Sequence, residues 1–214
     1  MESVRDLMQR AVKEGIFPGG VLLVAKEGSV LFLESSGFAR LDPEQPMTIG
    51  TVFDLASLTK PLATAPALML LIQKRILDLD KTLGQVIDDF ADTDKESITI
   101  RQLLSHSSGL PDYQPYYQEL AKRPLSERKQ SLRTRLVGED LVNEQGKASL
   151  YSDLGFMVLE WVVEVVSRKP LNHFVEESVY EPIGLNDLFF IPVDSASGER
   201  DDLFAATEDC PWRG

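Results

Sequence analysis

Along the first part of the chain, apolar positions repeat at the interval of one helical face. Val4, Leu7, Met8, Ala11 and Val12 follow that spacing and Gly15 then stands where a C-cap would, so residues 2 to 14 are expected to form an amphipathic helix. The period then changes. In GGVLLVAKEGSVLFLESSG two apolar and β-branched runs flank Glu27-Gly28, the pattern of an antiparallel hairpin. The first run is apolar throughout and is expected to be covered on both faces. After a loop containing Pro and Asp (Leu41 to Pro46), DLASLTKPLATAPALMLL opens a long apolar helix, expected from about Ser57 to Leu77. Pro61 is harmless in its first turn, whereas Pro66 lies deep enough to kink it.

The remaining pattern is mostly helical. Helices are expected at 99–105 with Thr99 as cap, at 125–137, at 153–168 and at 171–180, separated by turns at HSSGLPDY, NEQGKAS and EPIGLND. There is no internal repeat and no low-complexity tract. Only two strands are legible, and a two-stranded hairpin is marginal by itself. Either helices cover it or strands that belong beside it are missing.

Composition narrows the function classes. The chain has 214 residues, 43% hydrophobic and 26% charged, with a net charge of −12 and a pI near 4.6. These are the proportions of a globular protein, and the acidity argues against a nucleic-acid partner, whose phosphates need clustered Lys and Arg. The basic run Lys122, Arg123, Arg128, Lys129, Arg133 and Arg135 reads as a solvated helix face. No run approaches the roughly 18 apolar residues of a membrane span, and MESVRDLMQR lacks the apolar core of a secretory signal. A cytoplasmic protein with no membrane partner is expected, or a periplasmic one if a leader has been removed. Cys210 is alone, which excludes an internal disulfide. His106 and His173 are too few and too separated for a zinc site, and HExxH is absent, so neither metal nor cofactor is expected and both read as structural.

Several chemistries leave no trace. GxSxG, GxxxxGK and GxGxxG are all missing, and a Ser-His-Asp triad would have to use His106 or His173, neither with a local signature. SxxK occurs twice. Ser126 to Lys129 lies in RPLSERKQSLRTRL, where the amine would be hydrated and the serine is a helix-start residue. Ser57 to Lys60 instead precedes PLATAPALMLLI, so Lys60 is carried toward an apolar interior where burial disfavours the ammonium and favours a proton acceptor. Ser57 at a helix N-terminus gains from backbone N–H groups that favour a developing oxyanion. The residues alone leave a second reading open, with Ser57 as an N-cap and Lys60 as a snorkelling surface residue. In LYSDLGFMVLEWVV, Tyr151 and Asp153 stand at the mouth of a buried helix. A tyrosine there can relay protons beside a cation, though Asp153 taken separately reads as an N-cap and Tyr151 as an amphipathic surface residue.

Taken in order, SxxK before a buried helix, LLSHSSGLPDY, Y-S-D before an apolar helix and FVEESVYEPIGLNDLFF closely resemble the serine β-lactamase-like family. That family includes class C β-lactamases, penicillin-binding proteins with D-Ala-D-Ala carboxypeptidase activity, and esterases. The resemblance runs from about Gly19 to Phe190. It implies an α+β fold, a helical lobe plus an antiparallel sheet, here with the C-terminal strands missing. It also implies Ser57 as the acylated nucleophile, Lys60 as its activating amine and Tyr151 as base or proton shuttle. Asp153 stands where the family usually has Asn. A carboxylate only accepts hydrogen bonds, and it would hold the Lys60 ammonium and oppose its use as a base. HSSGL resembles a structural loop of the family. The family's third motif, Lys or His, a small residue and Gly, does not follow Asp153.

The expectation is therefore a single incomplete domain over 1–214, the N-terminal part of a longer enzyme. It divides into an N-terminal helix and hairpin of the sheet lobe (1–50), a helical lobe (51–190) and a truncated connection (191–214). The expected activity is that of a serine hydrolase forming an acyl-enzyme on a small-molecule ester, amide or β-lactam carbonyl, esterase-like because of Asp153. The rival expectation is a catalytically incompetent binding or interaction module. An exposed sheet edge would also allow a homodimer.

Overall fold

The computed structural model describes residues 2–191 and 203–207; Cys210 and the closing DCPWRG lie outside them. The chain forms two compact units, one of Met1–Ala56 with Ile191–Gly214 and one of Ser57–Phe190.

In the first unit, helix α1 (Glu2–Lys13) ends at Gly15, whose φ of +71° is the left-handed conformation a glycine adopts freely. Strands β1 (Gly19–Lys26) and β2 (Ser29–Leu41) pair antiparallel with Gly19 opposite Gly37 and Leu23 opposite Leu33. Glu27 and Gly28 both have positive φ, the geometry of the tight turn that matches strand twist. The stretch read as a loop also pairs: β3 (Glu44–Pro46) lies antiparallel to β2, making a three-stranded sheet in the order β1-β2-β3. The expected two-sided cover of β1 is not found within the described residues, where Leu23 is exposed and none of its eight residues is buried. The expected bare connection after residue 190 also contributes, since Phe204 bridges Val52 in parallel and the Ala206 N–H bonds the Ala39 carbonyl at 2.8 Å.

The second unit is helical. A short 3-10 turn (Ala56–Leu58) is followed by a π-turn (Lys60–Thr64) that passes directly into α2 (Ala65–Gln73). The single kinked helix expected here is thus three pieces. Pro66 has no N–H for the Leu62 carbonyl, and the turn before it is the wide π-turn. The Leu62 carbonyl accepts the buried Tyr180 hydroxyl at 2.9 Å instead. The segment stops before the expected Leu77 because Arg75 turns left-handed at φ +58°, which no glycine announces.

There follow α3 (Leu83–Val86), α4 (Ile100–Leu104), α5 (Tyr117–Leu120), α6 (Leu125–Gly138), α7 (Asp153–Ser167) and α8 (Leu171–Val175), the last extended by a second π-turn (Glu176–Tyr180). Thr99 caps α4 in a reciprocal box with Gln102. Helix α7 is the axis of the core, burying Leu154, Val158, Leu159, Trp161, Val162 and Val163 against Leu68, Leu71, Phe90 and Leu103. The basic run is more than a solvated face. Lys129 and Arg133 on α6 reach Glu164 on α7 at 2.5 and 2.6 Å, and the Arg133 guanidinium lies 4.8 Å over the Trp161 ring, tying the two helices together.

Candidate active site

All four candidate residues lie in the helical unit and meet at the N-terminal end of α7. Ser57 sits in the 3-10 turn and Lys60 opens the π-turn, so their spacing brings Lys60 Nζ to 3.3 Å from Ser57 Oγ. Ninety-three residues further on, Asp153 is the first residue of α7 and its Oδ1 accepts from Lys60 Nζ at 2.6 Å. Tyr151, two residues earlier and half exposed, places its ring 4.8 Å from the same ammonium, and Phe156 places its own at 5.7 Å. Lys60 is therefore surrounded by a hydroxyl, a carboxylate and two aromatic faces.

The N-cap of α7 is Ser152 and not Asp153: its Oγ accepts the Gly155 N–H at 3.0 Å and donates to the Pro111 carbonyl at 2.5 Å. This frees the Asp153 carboxylate for Lys60. The second SxxK pair stays apart from the site, with Lys129 engaged by Glu160 and Glu164, and Ser126 one residue inside α6, behind Pro124 as the cap.

The electrostatics decide between the two opposing effects expected at Lys60. Burial pulls the Lys60 amine down, but hydrogen bonds and Coulomb attraction from Asp153 and Tyr151 outweigh it and hold the pKa above its ordinary 10.5. Lys60 is a fixed cation at neutral pH. The Tyr151 phenol responds in the opposite sense: its interaction with Ser57, then that with Lys60, hold it below its ordinary 10.0, against a smaller push upward from Asp153. Both shifts favour the ionised forms, an ammonium at Lys60 and a phenolate at Tyr151.

A residue set aside at the sequence level also belongs here. His106, in HSSGL with φ +56°, stacks on Tyr151 at 4.6 Å between ring centroids and on Phe156 at 5.1 Å. Its Nδ1 accepts the Ser152 N–H at 3.0 Å and its carbonyl accepts the Leu150 N–H at 2.8 Å. Burial and the Lys60 charge keep its imidazole below the usual range, Asp153 opposing. Its partners are largely backbone groups, which carry no residue-specific signal. Among the described residues no cluster of three or more His, Cys, Asp or Glu is placed to hold a metal ion.

The Beta-lactamase family model matches residues 4–213. The chain is 31% identical to an N-acetylmuramyl-L-alanine amidase of Bacillus subtilis (strain 168), over 97% of this chain and 50% of that protein. It is 33% identical to the solved structure of EstCE1, a hydrolase with promiscuous acyltransferase activity, with a TM-score of 0.76 over 95% of this chain and 55% of that one. A class C beta-lactamase at 19% identity superposes with a TM-score of 0.76, covering 95% and 53% of the two chains, and shares the fold. The chain spans about half the length of these relatives.

Proposed function

The chain belongs to the β-lactamase family, and on that footing we propose that it is a serine hydrolase that works through an acyl-enzyme on a small-molecule ester, amide or β-lactam carbonyl. The observation that carries this reading is the meeting of Ser57, Lys60 and Tyr151, with Lys60 Nζ 3.3 Å from Ser57 Oγ and 4.8 Å from the Tyr151 ring centre. The Tyr151 phenolate takes the Ser57 hydroxyl proton as Oγ bonds to the carbonyl carbon. The carbonyl becomes an oxyanion, for which the Ser57 N–H is one donor. Collapse breaks the bond to the leaving group, which collects the proton from Tyr151. Water then repeats the sequence on the acyl-enzyme, releasing the acid and restoring Ser57. Lys60 stays protonated throughout, stabilising the phenolate, and Asp153 keeps it so.

Esters are the favoured substrates within this class. An amide at position 153 would offer both a donor and an acceptor to a substrate amide, whereas the Asp153 carboxylate only accepts and is engaged by Lys60.

The test is intact-mass analysis after exposure to a fluorophosphonate, with p-nitrophenyl esters and a cephalosporin as substrates. One adduct on Ser57 that disappears in Ser57→Ala is the expected result. Labelling that survives Ser57→Ala overturns the nucleophile. No adduct at all would leave a binding module built on the same fold, and cephalosporin turnover with inert esters would reverse the ester preference.

A further inference from the structure

Beyond the four residues that surround the reacting atoms, one further residue grips the segment that carries Tyr151. We propose that His106 is a positioning residue that latches residues 150–152 so that Tyr151 stays over Lys60, and that the latch closes only with a neutral imidazole. The inference rests on the hydrolase reading above for its kinetic consequence, and on geometry alone for the latch.

The geometry is a three-point hold on one tyrosine. The backbone N–H before Tyr151, that of Leu150, bonds the His106 carbonyl at 2.8 Å, and the N–H after it, that of Ser152, bonds His106 Nδ1 at 3.0 Å. Between these two anchors the rings of His106 and Tyr151 stack at 4.6 Å. The phenol is half exposed and, besides this ring contact, meets Ser57 and Lys60. The same segment is fixed further along by the Asp153 N–H on the Asp112 carbonyl at 2.8 Å. Both sides of the segment thus depend on the 106–112 loop.

Only one protonation state supports this arrangement. A neutral imidazole presents one acceptor nitrogen and one N–H, whereas the imidazolium presents two donors and would aim an N–H at the Ser152 N–H. The charged groups acting on the ring are the Lys60 ammonium, from the π-turn, and the Asp153 carboxylate, from α7; Tyr151 is the other titratable group against it, and Phe156 is apolar. A second cation beside Lys60 would also repel it. Acid therefore opens the latch from within the site.

Two variants separate the acceptor from the ring. In His106→Asn the amide oxygen takes the place of Nδ1, and Asn tolerates the left-handed φ of +56°. His106→Phe keeps a ring and loses the acceptor. The second-order rate of fluorophosphonate labelling at Ser57 is measured across pH for each, and folding of each variant is checked by circular dichroism. The wild type is expected to pass from a one-proton to a two-proton dependence as the imidazole protonates. The Asn variant should label within about 3-fold of wild type at neutral pH and keep a one-proton slope, while the Phe variant slows about tenfold, the size of one lost hydrogen bond. A slope of two that survives His106→Asn, or an Asn variant as slow as the Phe variant, overturns the proposal. If the wild type takes no label, the hydrolase reading fails, and the latch is judged by NMR instead. Exchange protection of the Ser152 amide should then be lost as the His106 ring titrates, and protection indifferent to that titration overturns the latch.

Discussion

Replacing Asp153 by Asn changes the charge at the centre of the site while keeping its shape, and its effect follows from the contacts of one ammonium. Lys60 Nζ is 2.6 Å from Asp153 Oδ1 and its side chain is only 14% exposed. A hydrogen bond to an ionised partner contributes about 1.5–3 kcal/mol and a neutral one about 0.5–1.5 kcal/mol. The Asp153 side chain is 36% exposed, so solvent screening places the difference at the low end, about 1 kcal/mol. Losing it lets burial dominate, and the Lys60 pKa falls. The Tyr151 phenol falls too, because the carboxylate that pushed it up is gone. Both limbs of the pH–rate profile for labelling at Ser57 should therefore move to lower pH, and on the alkaline limb the variant should be roughly 5-fold slower than wild type, the equivalent of about 1 kcal/mol. Stability carries the same signature. The folded pKa of Lys60 lies above its unfolded value, so the ion pair contributes fully below about pH 10.5 and its contribution is lost as pH rises through the folded value. Urea unfolding should find Asp153→Asn less stable by about 1 kcal/mol at neutral pH, converging with wild type at strongly alkaline pH. An alkaline limb that stays in place or moves upward would refute the reasoning, because Lys60 would not then depend on Asp153 for its charge.

Other perturbations test the frame around the site. Tyr180→Phe removes the donor to the Leu62 carbonyl and should cost about 0.5–1.5 kcal/mol in denaturant titration, the net contribution of one part-buried hydrogen bond. Ser152→Ala removes the α7 cap and the bond to the Pro111 carbonyl, with an expected loss of about 1–2 kcal/mol and slower labelling of Ser57, since Tyr151 and Asp153 flank the cap. Unchanged labelling in a destabilised Ser152→Ala would separate the helix cap from the chemistry.

The parts of this fold legible in the sequence are those set by near neighbours in the chain. Glu27-Gly28 between apolar and β-branched runs signals a hairpin, Thr99 signals a helix start, and the apolar run after Asp153 signals a buried helix. What escaped depends on distant partners or on residues that adopt unusual backbone without advertising it. Arg75 ends the α2 segment in the left-handed conformation that a glycine would have signalled. The strand at Glu44–Pro46 is three residues long and mostly polar, too short for a period to emerge. Ser57, Lys60, Tyr151 and Asp153 could be nominated from order and spacing, and so could the hold of Asp153 on the Lys60 ammonium, but not its weight against burial. That weight turns on a 2.6 Å contact across 93 residues, and burial alone would have given the opposite sign. His106 escaped for a related reason, since its hydrogen bonds go to the main-chain N–H groups of Leu150 and Ser152, which leave nothing in the partner sequence to read.

The widened turn at Lys60–Thr64 has a consequence for what this chain tolerates. A π-turn is an α-helix carrying one surplus residue, and each residue of an α-helix rotates the chain by about 100°. Every side chain upstream of Thr64 is therefore phased against α2 by that extra step. Conservative exchanges within the turn leave the phase alone. Deleting one residue of it would shift that phase and swing the hydroxyl at position 57 by about 100° relative to α2. The placement of that hydroxyl is stored as a count of residues, and shortening the chain by one erases it.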